Sequence, residues 1–150
     1  MRVALDTNIL AYAENVNGTG KRDIALDLVR RLPQETVVIP VQALGELFNV
    51  LVRKAGTSRA DARTVLLEWR DTFAVVETSS EIMLVAADLA TDHDFSIWDA
   101  IILSTASQSG CRLLLSEDLQ DGFTWAGVTV VNPFVSSRNT LLEALLGGAR

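Results

Sequence analysis

The 150-residue chain carries a single cysteine, Cys111, and a single histidine, His93. One thiol cannot close an internal disulfide, so stability must come from a hydrophobic core, and the chain suits a reducing compartment, expected to be the cytoplasm. The same scarcity argues against a structural zinc site and against a Cys–His nucleophilic pair. Cys111 adjoins an expected strand and reads as core, while His93, between Asp92 and Asp94, reads as a solvated residue near a helix end. No apolar run approaches the roughly 18 residues of a spanning helix. The opening run Val3-Ala4-Leu5 is interrupted by Asp6 and is too short for a signal peptide, so the expectation is a protein neither exported nor held in a membrane. Lysine is also scarce, with Lys21 and Lys54 the only two, and the net charge is −6. Such a balance opposes phosphate binding unless several acids are gathered around a cation.

Hydrophobic residues make up 49 % and charged residues 21 %. That composition describes one globular domain over residues 1–150, able to bury about two-thirds of its unfolded surface, with 147–150 expected to fray. Short apolar or β-branched runs at 3–5, 36–39, 73–76, 112–115 and 128–131 read as strands. Helical spacing marks 7–14, 21–32, a helix opened by Pro40 and ended by Gly56, and 58–70. Further helices follow from Thr78, over 97–108 before Gly110, and over 141–146. The pairs Ser58/Asp61, Thr78/Glu81 and Ser96/Asp99 match capping boxes. Strands alternating with helices imply an α/β fold with a mostly parallel five-stranded sheet covered on both sides. In such sheets ligands bind beyond the carboxyl ends of the strands, where strand order reverses.

Asp6 follows the first strand and Asp118 the fourth, in Leu115-Ser116-Glu117-Asp118, so both belong to that edge. Each acid also has an ordinary structural use. Asp6 and Ser116 can cap helical turns, Asp99 can complete its capping box, and Glu46 lies opposite the apolar stripe of its helix, where solvated glutamates are usual. Gly18-Thr19-Gly20-Lys21 lacks the first glycine and the trailing Ser/Thr of a phosphate loop and follows a helix, so it reads as a turn. The three tryptophans, Trp69, Trp98 and Trp125, could stack bases, but Trp69 and Trp98 read as partly buried packing residues.

Taken together, Asp6-Thr7-Asn8 after the opening strand, Glu46 on the helix after the second, Trp98-Asp99-Ala100 opening a helix and Ser116-Glu117-Asp118 resemble the PIN domain. The likeness extends over nearly the whole chain and is nearest to the VapC-type toxins, ribonucleases of type II toxin–antitoxin pairs. It implies a three-layer α/β/α sandwich and an acidic site of Asp6, Glu46, Asp99 and Asp118 supported by Thr7, Asn8 and Ser116, with Asp121 as an outer member. It further implies Mg²⁺ or Mn²⁺, hydrolysis of RNA phosphodiesters, a VapB-type antitoxin as partner, and a homodimer. Physically, several ionised carboxylates share a pocket only with a cation, because two charges 4 Å apart repel by about 4 kcal/mol at an effective dielectric of 20. Oxygen ligands favour the hard cations.

Two other readings compete: a phosphohydrolase that also places an aspartate after the first strand, and a receiver domain that is also acidic and parallel α/β. A haloacid dehalogenase-like phosphohydrolase resembles Asp-x-Asp there, whereas the third residue here is Asn8. A receiver domain needs a lysine near the last strands, and neither lysine lies there. A non-catalytic PIN scaffold binding RNA or protein is a further alternative, which the four intact acids oppose.

Overall fold

Because the opening strand is apolar from Val3 to Leu5, it fits where both faces of a sheet are covered. The computed structural model, which describes residues 1–135 and 139–148, places it at the centre. Strands β1 (Arg2–Leu5), β2 (Val37–Pro40), β3 (Ala74–Val76), β4 (Cys111–Leu115), β5 (Thr124–Trp125) and β6 (Val128–Val131) form one sheet of order β3-β2-β1-β4-β6-β5. All pairings are parallel except β5 with β6. Helices α1 (Thr7–Ala13), α2 (Thr19–Arg31), α3 (Val41–Arg53), α4 (Arg59–Thr72), α5 (Ser80–His93), α6 (Ile97–Gln108) and α7 (Thr140–Gly148) flank it.

The five strands expected from the sequence are all present. The sixth, β5, is a two-residue edge strand held by the turn at Ala126 and Gly127, whose φ values of 48° and 86° match a tight primed hairpin. An alanine at positive φ is a poor turn signal, so sequence alone gave no warning of it. Three boundaries also differ. Pro40 closes β2 and caps α3 rather than occupying its first turn. The cap of α5 is Ser79, whose hydroxyl accepts from the Ile82 N–H, not Thr78. Thr19, Gly20 and Lys21 already belong to α2 rather than to a turn. The last helix includes Gly147 and Gly148, while residues 149–150 lie outside the described residues.

The core gathers Val3, Ala4 and Leu5 with Val37, Val38 and Ile39, and with Leu113, Leu114 and Leu115, all essentially inaccessible. Cys111 is buried there as expected. Helix α6 contributes Ile101, Ile102 and Leu103, and Trp69 of α4 is likewise buried. Strand order turns back between β1 and β4, where Leu5 lies opposite Leu115. The residues that follow, Asp6 and Ser116, therefore leave the sheet side by side.

Core and cap should separate energetically. Leu114→Ala, which empties a fully buried position of β4, is expected to cost roughly 2–5 kcal/mol, and Ser58→Ala, which removes the hydroxyl capping the Asp61 N–H, about 1 kcal/mol. Urea unfolding of both variants checks this, and equal shifts in midpoint would contradict the placement of β4 in the centre.

Candidate active site

Asp6 is 4 % exposed, which is unusual for a carboxylate and expensive unless its oxygens find donors. They do. Oδ1 accepts the Thr7 N–H at 2.7 Å and Oδ2 accepts the Ser116 hydroxyl at 2.7 Å, while the Asp6 N–H donates to the Leu115 carbonyl at 3.0 Å. Ser116 in turn accepts from the N–H groups of Asp118 at 3.2 Å and Leu119 at 3.3 Å. Asn8 accepts the Glu117 N–H through its side-chain oxygen at 3.2 Å. Ser116 and Asn8 thus tie the loop after β4 to the start of α1 and fix where Asp118 stands.

Electrostatics in this corner are one-sided. Burial pushes the Asp6 carboxyl up to about 7, against the hydrogen bonds of Ser116 and Thr7 that favour its charge, and repulsion from Glu46 and Asp118 adds to the rise. Burial also raises Asp99, opposed by the Ser96 hydroxyl and reinforced by Asp118. Asp118 is therefore the neighbour common to Asp6 and Asp99. Asp121 is not part of the group: its carboxylate accepts the Asn132 N–H at 2.8 Å, a structural tie between the loop and the end of β6.

Glu46 and Asp118 line a cleft of about 230 Å³ together with Thr7, Asn8, Tyr12 and Lys54. Two polar atoms on this wall, Thr7 Oγ1 and Asn8 Nδ2, are buried with no hydrogen-bond partner, a state that costs roughly 1–3 kcal/mol each unless a water or ligand answers them. Among the described residues, no three of the acids, histidine or cysteine converge tightly enough to enclose a metal ion unaided. The donor set nevertheless fits a hydrated dication. Mg²⁺ retains several waters and is usually held by one or two carboxylates with substrate phosphate, not by an all-protein cage.

Several supports were not legible in the sequence. Gln42 Nε2 donates to Glu46 Oε1 at 2.8 Å and to the Trp98 carbonyl at 3.0 Å, linking α3 to the start of α6. The i,i+4 spacing of Gln42 and Glu46 was the available signal. Glu117 accepts from Tyr12 Oη and pairs with Lys21, whose ammonium also lies 5.2 Å from the Tyr12 ring centroid. Burial raises Glu117, yet the bonds from Lys21 and Tyr12 outweigh it and hold this carboxyl below its ordinary range. Trp98, expected as a partly buried packing residue, is more exposed than that, at 61 %. Its helix already buries Ala100 to Ala106, and a residue in the first turn beyond that run has no core left to enter.

A family model described as the PIN domain matches residues 3–122. The chain belongs to the PIN domain family. Among solved structures, this PIN domain is similar to Mycobacterium tuberculosis VapC20, described as a toxin cleaving the sarcin–ricin loop. The TM-score is 0.67 at 21 % identity, over 77 % of this chain and 89 % of that one. It is similar to a toxin–antitoxin complex from Klebsiella pneumoniae, with a TM-score of 0.67 and 23 % identity over 88 % and 98 % of the two chains. VapBC2 of Rickettsia felis, bound to a fragment of its promoter DNA, gives 0.63 and 17 % over 87 % and 97 %. At these identities the structures speak for the fold. No curated protein matches the sequence. Membership of the PIN family removes the dehalogenase-like and receiver readings.

A buried acid raised from 3.8 to about 7 binds a proton in the native state that the unfolded chain has already released. The metal-free protein is therefore expected to lose stability as pH rises from about 4 to about 7, by an amount on the order of 4 kcal/mol for Asp6. Asp99 contributes in the same direction. In Asp6→Asn the decline should shrink markedly. Denaturant unfolding in chelator across that range is the measurement, and identical slopes for the two proteins would refute the assignment.

Proposed function

We propose that this PIN domain is a Mg²⁺- or Mn²⁺-dependent endoribonuclease toxin of the VapC type, neutralised by a VapB-type antitoxin. The observation that carries the reading is Asp6, a buried carboxylate clamped at the sheet's switch point and repelled by Glu46 and Asp118. A fold has little reason to keep so strained a group unless something positive visits it.

In this reading Asp6, Glu46, Asp99 and Asp118 hold the dication. When bound, it would acidify a water and neutralise the scissile phosphate. The chain's own residues supply position. Ser116 and the Thr7 N–H keep both Asp6 oxygens pointed along fixed directions, and the Ser116 bond to the Asp118 N–H sets the second acid relative to the first. Gln42 restrains Glu46. The unpartnered Thr7 hydroxyl and Asn8 amide offer a donor each to a phosphate oxygen or to an attacking water.

The similar solved structures include toxin–antitoxin complexes, which supports an antitoxin as partner here. Its inhibitory element would be an arginine or lysine pushed among the carboxylates, since a guanidinium pairs a carboxylate through two hydrogen bonds and supplies part of the missing charge. We place the protein in the cytoplasm as a homodimer; among the described residues no helix is long and apolar enough to cross a membrane.

Purified protein should cleave single-stranded RNA with Mg²⁺ or Mn²⁺, stop in chelator and recover on adding the ion. Asp6→Asn should lower turnover at least about a hundredfold, the scale of losing a placed electrostatic group, while keeping its circular dichroism. Undiminished cleavage by Asp6→Asn would refute the site. Absence of cleavage in the wild type, with RNA still bound, would favour the non-catalytic scaffold.

A further inference from the structure

A second cavity, of about 420 Å³, opens beside the acidic cleft. Gln42, Gly45, Glu46 and Asn49 line it from α3, and Trp98 lines it from the start of α6. The four α3 positions recur at helical spacing and form one face. Glu46 belongs to both cavities, so the two are joined through a carboxylate of the proposed catalytic group.

Three features distinguish this cavity. The Trp98 side chain is 61 % exposed, although burying an indole is one of the more favourable things a fold can do with it. Its backbone is nevertheless held in place, by Gln42 on its carbonyl. Gly45 sits in the middle of α3, where glycine is unfavourable, and a Cβ there would meet nothing within 4 Å. No neighbour requires the glycine; its effect is to leave the cavity floor open. Asn49 is exposed on the same face, and its amide makes no hydrogen bond among the described residues.

We infer that this cavity is a nucleobase subsite, taking one unpaired base of a single-stranded RNA beside the scissile phosphate, with the base stacked on Trp98. The inference rests on the ribonuclease reading and deepens it. An aromatic face, an open floor and amides at the rim are what an extruded base uses, because it stacks on one plane and hydrogen-bonds along its edge. An aliphatic anchor from a protein partner fits less well, since it would bury the exposed Asn49 amide without answering it. The cavity volume falls within the ordinary range for small-ligand sites.

The test measures binding of a short single-stranded oligoribonucleotide to the full chain in an Asp6→Asn background, so that cleavage does not intervene. Trp98→Ala is expected to weaken binding about tenfold, the loss of one stacked base, and Trp98→Phe to retain most of the affinity. Gly45→Leu should raise the melting temperature, by restoring helix propensity, and yet weaken RNA binding, a combination that a merely structural glycine does not give. Binding of the same strand in a duplex should not respond to Trp98→Ala. Unchanged single-strand affinity in both Trp98→Ala and Gly45→Leu, with the parent binding RNA normally, overturns the subsite and leaves the nuclease reading standing. A change in oligomeric state on sedimentation, with RNA affinity unaltered, overturns it in favour of a protein contact. If the parent binds no RNA and the wild type cleaves none, the nuclease reading falls and the subsite with it.

Discussion

The pairing of Leu5 with Leu115 is the contact on which the rest of the site depends. It sets two parallel strands in a register that delivers a carboxylate and a hydroxyl to adjacent positions at the same edge. The Ser116 hydroxyl then answers one Asp6 oxygen and two backbone N–H groups of its own loop. A slip of one residue would turn every β1 side chain to the opposite face and leave Asp6 without its donor. Because Val3 to Leu5 and Leu113 to Leu115 are buried on both sides, such a slip has no compensating arrangement.

Around that contact, charge is distributed with economy of place. The chain is acidic overall, yet Glu117, which stands next to Asp118 in sequence, is turned to Lys21 and Tyr12 and neutralised locally. The remaining acids, Asp6, Glu46, Asp99 and Asp118, are left to repel one another in pairs. Gln42 plays a different part. One amide nitrogen bridges a carboxylate on α3 and a main-chain carbonyl on α6, so any displacement of one helix is felt at the other.

How much of this was legible in the sequence follows from the range of each interaction. Strands and helices are written in local periodicity, and the five apolar runs and the caps at Ser58 and Ser96 appear where the pattern puts them. The position of Asp6 and Ser116 at one sheet edge also follows from order alone, given parallel strands. What local pattern could not supply is tertiary. The hairpin at Ala126 has no turn-forming residue ahead of its glycine. Whether Trp98 is covered depends on how far α6 projects past the sheet, and Asp121 looks like its neighbour Asp118 until the Asn132 N–H is seen to claim it. Glu46 reads as a solvated helix residue because the residues that share its cleft, Thr7 and Asn8 of α1 and Asp118 after β4, are distant in sequence.

The chain order of these pieces has a consequence during synthesis. Asp6 and the Ser116 hydroxyl that completes its clamp are separated by 110 positions. At translation rates of about 5–20 residues per second, on the order of ten seconds pass between the two. A ribosome-tethered fragment carries Asp6 and the whole of α3 but has no β4 against which to set them, so the carboxylates cannot assemble while the chain is still being made. Under the proposed function, a nascent chain would therefore stay inactive until β4 has emerged.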